Sequence, residues 1–456
     1  MNGTDLGSVP SGWTYLFLIV AILLALTFEF VNGFHDTANA AATVIYTNTL
    51  RPKTAVVWSG FWNWIGVLTS SGMVAYGIVA LLPVDLVLHI GSGLGFAMVF
   101  SLLLSAILWN VGTWFFGLPA SSSHTLIGAI LGVGLANSLM GPSHAALSGV
   151  NWSKAQEVAL GLLISPAVGF CAAAGLLLLA KRLVKEPTLY RAPEGKRPPP
   201  WWIRTLLLTT CTGVSFAHGS NDGQKGMGLM VLILVGLLPG TYALNLSAEP
   251  HAIHEVASAT EKLAASLVPT VAQAALSDDE VSTVLTQPIH RSAETPVRLL
   301  AAVQRKSEQV ARTLHGIDSL SAIATSQRAQ LRRDLYLLSI SLKQIEHRAL
   351  LTDRHALQQV ATLRKHIQQM TSYIPGWVKF AVALALGLGT MIGYRRIVVT
   401  VGERIGKEHL SYAQGGAAEL VAMVTILLAD HFGLPVSTTH VLSSGIAGTM
   451  AANRSG

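Results

Sequence analysis

The sequence predicts an all-α polytopic membrane protein that contains an inverted-topology repeat with broken, re-entrant helices and a helical soluble insertion. Three observations lead to this fold class: an apolar composition, two pairs of repeated polar motifs, and one stretch of mixed charge. The chain has 456 residues, of which 51% are hydrophobic and 12% charged, whereas soluble domains carry about 25% charged residues. Stretches longer than the roughly 18 apolar residues that cross a bilayer recur, and such spans are helical.

Apolar segments alternate with polar ones along the whole chain. They lie at 13–45, 54–82, 95–140, 156–180, 202–245, 375–398 and 411–452. The first has no Lys or Arg before it and lacks the basic region of a signal peptide, so it is expected to be a retained helix. The net charge of +7 comes from short basic stretches beside the spans. Cytoplasmic anchoring explains that placement better than nucleic-acid binding does.

Two of these segments are too long for one straight helix, and each is interrupted by a similar motif. The motifs are "GLPASSSH" (Gly117–His124) and "GLPVSTTH" (Gly433–His440). Gly and Pro beside hydroxyl residues end one helix and begin another. Each interruption is preceded, in the same order, by a polar motif within an apolar segment, "GFHDTANA" (Gly33–Ala40) or "GSNDGQKG" (Gly219–Gly226). The chain therefore contains an internal repeat.

The repeats occupy about 13–180 and 202–452, and positive charge predicts their orientation. Arg51 and Lys53 place the first loop in the cytoplasm, and the basic linker at 181–201 is placed there in the same way, because Lys and Arg concentrate on the cytoplasmic side. The first repeat then begins outside and the second inside. This inverted topology is the architecture of many secondary transporters.

Residues 246–372 differ from both repeats. Their mixed charge and helical periodicity, as in "LRRDLYLLSISLKQIEHRALL" (Leu331–Leu351), predict a soluble helical insertion on the non-cytoplasmic side. It divides the second repeat into 202–245 and 373–452. No counterpart of the segment at 156–180 follows the last interruption, so the final helix of the second repeat is expected to be absent.

The polar motifs place ionisable side chains where hydrocarbon is expected. An ionised group at the bilayer centre costs about 2.5–3.5 kcal/mol, so Asp36, Asp222 and Lys225 are expected to line a cavity or to pair. The glycines of both motifs are expected to let the helices unwind and free carbonyl groups for a cation. Either the motifs form a coupling-ion site where the unwound segments meet, or buried hydrogen bonds lock the helices together. The Asp in both repeats favours the ion site.

Hydroxyl residues follow the proline in both interruptions. They are Ser121, Ser122, Ser123, Thr125, Ser437, Thr438 and Thr439. A helix N-terminus offers unpaired N–H groups and about half a positive charge, and hydroxyl groups add neutral donors for a tetrahedral oxyanion. Plain N-capping would use the same residues, but a symmetric pair opposite two Asp-bearing motifs favours anion binding. Sites for a cation and an anion together predict symport.

These four motifs resemble those of the inorganic phosphate transporter (PiT) family, especially its bacterial low-affinity, proton-coupled members, and the likeness covers nearly all of 13–452. Members carry a Gly-Ala-Asn-Asp-Val-Ala-Asn type signature in each repeat and symport phosphate with sodium or protons. The resemblance implies a bacterial inner-membrane protein that works by alternating access. It also implies substrate contacts from the Ser/Thr-His segments, and coupling roles for Asp36, Asn39, Asn221, Asp222 and Glu419.

The resemblance extends to partners. Bacterial members carry phosphate as a neutral complex with a divalent metal, and the likeness favours a homodimer. The sequence has no dedicated His/Cys cluster, so no metal site or cofactor of the protein itself is expected, and any metal would travel with the substrate.

Two positions depart from the family signature. His35 stands where the signature has Asn, and Lys225 stands where its second Asn would be. A Lys beside Asp222 would compete with a bound sodium ion, because charges interact strongly at short range in a low dielectric. This predicts phosphate:proton symport, with the Asp–Lys pair or His35 titrating; a structural role for His35 stays open. Sodium coupling, and transport of sulfate or another tetrahedral oxyanion, are the alternatives within transport.

Two other function classes are weaker. An anion channel would dissipate a gradient without uphill accumulation. An intramembrane enzyme would use His35 and Asp36 with His218 and Asp222 as metal or acid–base groups, which their spacing does not support. "GSNDGQKG" lacks the spacing of a P-loop, so nucleotide binding is rejected. A transporter and not an enzyme is expected.

Overall fold

The computed structural model describes residues 12–81, 93–140, 150–193, 195, 197–242, 244–271, 276–286, 296–351, 353–403 and 409–453. For residues 36–39, 240, 270 and 401–403 it describes the backbone only. Among the described residues there are helices, turns and loops but no strand. The predicted all-α fold class is therefore confirmed.

The described helices are numbered here in chain order. The chain begins with α1 (Gly12–Tyr46), α2 (Pro52–Thr69), α3 (Met73–Val79), α4 (Gly93–Phe115), α5 (Ser122–Met140), α6 (Trp152–Leu183) and α7 (Trp201–Leu237). It continues with α8 (Pro239–Tyr242), α9 (Pro250–Val271), α10 (Asp278–Thr286), α11 (Pro296–Leu314), α12 (Thr325–Arg348) and α13 (Arg354–Thr371). It ends with α14 (Gly376–Ile392), α15 (Arg395–Glu403), α16 (Tyr412–His431) and α17 (Thr438–Asn453).

The described residues divide into two compact units. The membrane unit comprises residues 17–81, 96–233 and 374–453, and the insertion unit comprises 234–373 with the short stretches 12–16 and 93–95. Within the described chain, 5 helices are long and apolar enough to cross a bilayer: α1, α4, α5, α6 and α16. The polytopic membrane class is thus supported by length and composition, while the domain boundaries stay a prediction.

The first helices of the two repeats, α1 and α7, lie side by side and run antiparallel. Glu29 of α1 lies where a Cβ added to Gly226 of α7 would meet it. Further along α1, the Ala40 carbonyl oxygen accepts a hydrogen bond from the Cys211 thiol of α7 at 3.2 Å. Residue numbers therefore rise along one helix as they fall along the other. Opposite directions are what an inverted-topology repeat requires, although the repeat itself stays a prediction.

Each of these two helices packs closely on the second helix of the other repeat. A Cβ added at Gly219 of α7 or at Gly66 of α2 would collide with the backbone of the other helix. The same holds for Gly33 of α1 and Gly389 of α14, and at Gly33 the added Cβ would lie 2.6 Å from the Leu386 carbonyl oxygen. The backbones approach this closely only because the glycines have no side chain.

The expectation that the glycines unwind the polar motifs is wrong. Helix α1 continues through Gly33, and α7 continues through Gly219 and Gly223. Close packing is the physical reason, since Gly223 also leaves room for the Val67 side chain of α2. The absence of a Cβ at these glycines lets the helices pack closely. It does not change the helical conformation of the backbone.

The two predicted helix interruptions are present. Helix α4 ends at Phe115 and α5 begins at Ser122, and α16 ends at His431 and α17 begins at Thr438. The broken helices of the predicted fold class are therefore these two pairs, α4 with α5 and α16 with α17.

Amphipathic helices form the insertion unit. One apolar face of each turns inward, and side chains such as Leu263 of α9, Val303 of α11 and Leu363 of α13 belong to one buried core. Lys306 of α11 reaches across to Asp334 of α12, with its Nζ 2.9 Å from Oδ1. The helical insertion of the predicted fold class is therefore present.

Candidate substrate and coupling site

The two interruptions have the same local geometry. Gly117 has a φ of +69° and Gly433 a φ of +65°, a left-handed conformation that L side chains disfavour. In each, the glycine N–H donates to the carbonyl oxygen three residues earlier, and the next N–H donates to the one five residues earlier, at 2.9–3.0 Å. This Schellman arrangement ends α4 and α16 at the same point of each motif.

A serine caps each half-helix that follows. Ser121 Oγ accepts a hydrogen bond from the His124 backbone N–H at 3.2 Å, and Ser437 Oγ accepts one from the His440 N–H at 3.1 Å. The Thr125 hydroxyl donates to the Ser121 carbonyl oxygen at 3.1 Å. The plain N-capping role therefore applies to these two serines, and Thr125 is engaged in the same helical turn.

The hydroxyl residues after the caps are buried. Ser122, Ser123, Thr438 and Thr439 are each 2–3% exposed. The Ser122 hydroxyl makes no hydrogen bond to the described residues. The Ser123 hydroxyl donates to the Val436 carbonyl oxygen at 2.8 Å, which joins the first interruption directly to the second.

Lys225 of α7 lies at that junction and is fully buried. Its Nζ donates to Asp222 Oδ1 at 2.6 Å, to Ser123 Oγ at 2.5 Å and to the Val436 carbonyl oxygen at 3.4 Å. The three N–H donors of the ammonium thus face three oxygen acceptors. We call Asp222, Lys225, Ser123 and Val436 the Lys225 cluster. Its residues come from one polar motif and from both interruptions.

Further contacts hold α7 around this cluster. Asp222 Oδ2 is 3.4 Å from His218 Nε2, and His218 Nδ1 is 2.9 Å from Asn63 Oδ1 of α2. Because that amide oxygen is an acceptor, Nδ1 carries a hydrogen. The Asn221 amide donates to the Leu434 carbonyl oxygen at 3.2 Å. The polar motif of the second repeat is therefore fixed both to α2 and to the second interruption.

His35 and Glu419 lie in other contacts. His35 Nε2 is 2.8 Å from the Asn110 carbonyl oxygen of α4, so its N–H donates there. The Thr210 hydroxyl donates to Glu419 Oε2 at 2.5 Å, and both His35 and Glu419 are buried. On α7, Thr210 lies about 18 Å along the axis from Asp222. Neither His35 nor Glu419 is part of the Lys225 cluster.

Of the predicted coupling residues, Asp222 and Lys225 are thus brought together with the Ser123 hydroxyl of the first repeat, and Asn221 contacts the second interruption; Glu419 lies apart from them. For the first repeat, the side chains of Asp36 and Asn39 lie outside those that the structure describes. Their place in a coupling site stays a prediction.

Two groups of polar residues were not predicted from the sequence. The rings of His124 and His440 have centroids 4.6 Å apart at an angle of 56°. Asp430 of α16 accepts hydrogen bonds from the Ser220 hydroxyl at 2.6 Å and from the Gln224 amide. The repeated motifs did contain a signal for the histidine pair, because each ends in His. Asp430 is an acidic residue within the apolar segment at 411–452, which was a signal, but it belongs to none of the four repeated motifs.

The polar groups of the site suit the binding of ions. Within the described residues, no group of three or more His, Cys, Asp or Glu could hold a metal ion. The Lys225 cluster offers a buried carboxylate with hydroxyl and carbonyl oxygens, which suit a cation. The two half-helix N-termini offer N–H groups and hydroxyls, which suit an anion.

A polytopic membrane protein in which two interrupted helix pairs converge on a buried charge cluster has the construction of a secondary transporter. The chain belongs to the phosphate transporter family, whose model matches residues 32–456. It is 43% identical over 462 residues to the low-affinity inorganic phosphate transporter PitB of Escherichia coli (strain K12), covering 97% of this chain and 91% of that relative. PitA of the same organism is 42% identical over 460 residues, with the same coverage.

More distant proteins are also similar. A probable low-affinity inorganic phosphate transporter of Bacillus subtilis (strain 168) is 26% identical over 436 residues, covering 96% of this chain and 86% of that relative. A solved structure described as "The sodium-dependent phosphate transporter" is 19% identical, with a TM-score of 0.49 and coverage of 96% and 90%. The bacterial relatives are transporters, and the chain is accordingly an integral inner-membrane transport protein and not an enzyme.

Proposed function

We propose that this protein carries inorganic phosphate across the inner membrane together with protons, by alternating access around the Lys225 cluster. One observation carries the proposal: both hydroxyl-bearing interruptions meet at the buried Asp222–Lys225 pair. A site reached from both repeats is what alternating access needs. The family membership and the names of the relatives, low-affinity inorganic phosphate transporters, supply the substrate.

The half-helix N-termini are proposed to bind the phosphate. Oriented N–H groups and hydroxyl donors match a tetrahedral oxyanion and hold it without trapping it as a cluster of arginines would. Ser122 supports this assignment, because a buried hydroxyl that makes no hydrogen bond to the described residues is available to a ligand. Ser123, Thr438 and Thr439 are proposed as further contacts, with Ser121 and Ser437 holding the helix ends.

Protons and not sodium ions are proposed as the coupling ions. The Lys225 ammonium already neutralises Asp222 at 2.6 Å, so a sodium ion there would be repelled by a fixed positive charge. The Asp222–Lys225 pair, with His218 beside it, is proposed to exchange the proton. His35 is proposed to be structural, because its N–H donates to a backbone carbonyl oxygen. Coupling roles are also proposed for Asp36, Asn39 and Glu419. For these three residues the proposal rests on the family resemblance alone.

Alternating access is supported by the relation between the two halves. The antiparallel course of α1 and α7, the matching glycine contacts and the matching helix interruptions agree with an inverted-topology repeat. Such repeats can exchange conformations so that the site opens to one side and then to the other.

Three further points are proposed from the resemblance and the span count. A divalent metal travels bound to the phosphate, as part of the substrate. The protein forms a homodimer. The insertion unit lies on the non-cytoplasmic side.

The proposal is tested by uptake of labelled phosphate into proteoliposomes with imposed gradients. An inward proton gradient should drive accumulation without sodium, and an inward sodium gradient at equal pH should not. Accumulation that follows sodium and ignores the pH gradient would refute proton coupling. Competition by unlabelled sulfate separates the alternative substrate, since a sulfate transporter would lose labelled-phosphate uptake at low sulfate concentrations.

A further inference from the structure

We propose that the Lys225 ammonium is a tethered cation, filling an oxygen-lined site that would otherwise take a free alkali cation such as Na⁺. The inference rests on the proposed function only in treating Asp222 as part of the coupling site. On this proposal, the side chain at position 225 decides whether the site binds a free cation.

The atoms around Lys225 Nζ form the donor set of a cation site. They are a carboxylate oxygen of Asp222 at 2.6 Å, the Ser123 hydroxyl oxygen at 2.5 Å and the Val436 carbonyl oxygen at 3.4 Å. Carboxylate, hydroxyl and carbonyl oxygens are the ligands that hard cations take in proteins. With the ammonium gone, the Asp222 and Ser123 oxygens would be the nearest ligands for a metal ion of the same charge, and the Val436 carbonyl oxygen would have to move closer.

The buried Asp222 carboxylate needs a partner at this place. Asp222 is 1% exposed, and a buried carboxylate is stable only with a positive or hydrogen-bonding partner. His218 also faces it, at 3.4 Å, but Lys225 makes the closer contact. If the ammonium were removed while Asp222 stayed, an alkali cation could restore both the charge and the contacts to Ser123 and Val436.

The tether has a consequence for transport. Lys225 extends from the same helix as Asp222, one turn further along, so its ammonium stays with the protein when substrate leaves. The site then needs no free alkali cation to be supplied from a gradient. A free cation in its place would leave the site and be carried along.

The experiment measures the thermal unfolding midpoint of the full-length protein in detergent, without phosphate. The midpoint is compared in NaCl and in choline chloride at equal ionic strength. Lys225→Asn should gain a saturable, sodium-specific rise of about 1–2 °C at tenfold the Kd. The wild type and Lys306→Asn, the matched buried lysine of the insertion unit, should show no difference between the salts. Adding Asp222→Asn to Lys225→Asn should abolish the rise.

Each outcome decides the matter. If Lys225→Asn and the longer Lys225→Gln both fold and neither distinguishes the salts, the proposal is wrong. A sodium-specific rise in the wild type would also overturn it, because the site would then be open. If the variants fold only in NaCl the proposal is supported, and if they fold in neither salt it fails.

This measurement is separate from the test of the proposed function. Proton-driven phosphate uptake by the wild type can fail while the sodium response of Lys225→Asn appears, and the reverse can occur. The two failures are therefore distinguishable.

Discussion

The membrane unit and the insertion unit each contain a buried lysine paired with an aspartate, and the two pairs differ in what they connect. In the insertion unit, Lys306 of α11 donates to Asp334 of α12 at 2.9 Å, so the pair ties two helices together. In the membrane unit, Lys225 donates to Asp222 of the same helix at 2.6 Å. The side chains of the first pair are 5% and 14% exposed, and those of the second are 0% and 1% exposed.

The difference teaches that a buried ion pair is not by itself a sign of function. A pair such as Lys306–Asp334 can serve the fold, although such pairs often stabilise less than apolar residues would. The Asp222–Lys225 pair joins no helices on its own, and the remaining donors of Lys225 reach oxygens in two separate helix interruptions. The functional interpretation depends on those extra contacts.

Substituting the two aspartates tests this comparison with the largest expected effect. Asp222→Asn should lower proton-driven phosphate accumulation by about 100-fold or more, since losing one partner of a buried charge pair costs about 2–5 kcal/mol and leaves Lys225 uncompensated. Asp334→Asn should keep wild-type uptake by the folded protein. The measurement is labelled-phosphate uptake in proteoliposomes at matched protein density. If Asp222→Asn accumulates phosphate normally, Asp222 has no role in coupling.

The next largest effect is expected from substituting Lys306 of the insertion unit, which should change stability but not transport. Lys306→Met should lower the free energy of unfolding by about 3 kcal/mol, the low end for breaking a buried pair, because Asp334 is partly exposed. Thermal and denaturant unfolding of the purified protein measure this loss. The KM for phosphate of the folded protein should be unchanged, and a changed KM would show that the pair also serves transport.

Two glycine substitutions sharpen the comparison by testing the scaffold that holds α7. At Gly66 an added Cβ would collide with the Phe216 carbonyl oxygen, so Gly66→Ala should destabilise the protein by about 1–3 kcal/mol. At Gly128 of α5 an added Cβ meets no atom of the described structure within 4 Å. Gly128→Ala should therefore raise stability by up to about 1 kcal/mol through helix propensity. A Gly66→Ala protein that unfolds at or above the wild-type temperature would contradict the close packing of α2 on α7.

The smallest expected effects separate capping from substrate binding at neighbouring serines. Ser121→Ala removes an N-cap and should lower stability by about 1 kcal/mol. Ser122→Ala removes a hydroxyl that makes no hydrogen bond to the described residues, so stability should not fall. The KM for phosphate should rise about fivefold in Ser122→Ala, because the loss of one hydrogen bond to the ligand costs about 1 kcal/mol. An unchanged KM would assign Ser122 to the fold only.

Much of the fold was predictable because its signals are local. Apolar length predicts spans, and the Gly-Leu-Pro motifs predict interruptions because the glycine, proline and serine each act on the adjacent backbone. The unwinding of the polar motifs was predicted wrongly for the opposite reason. The glycine at position 219 is required by close packing on the backbone of α2, and α2 lies far away in the sequence. Asp430 was missed because its partners Ser220 and Gln224 are equally distant.

The sequence by itself determined the membrane class, the two helix interruptions and the presence of Asp222 and Lys225 three residues apart in one polar motif. Each of these follows from the chemistry of neighbouring residues. Only the tertiary structure decided that the Lys225 ammonium meets Ser123 of the first interruption and Val436 of the second. Contacts between such distant residues depend on how whole helices pack, and that depends on surfaces built from many separate parts of the chain.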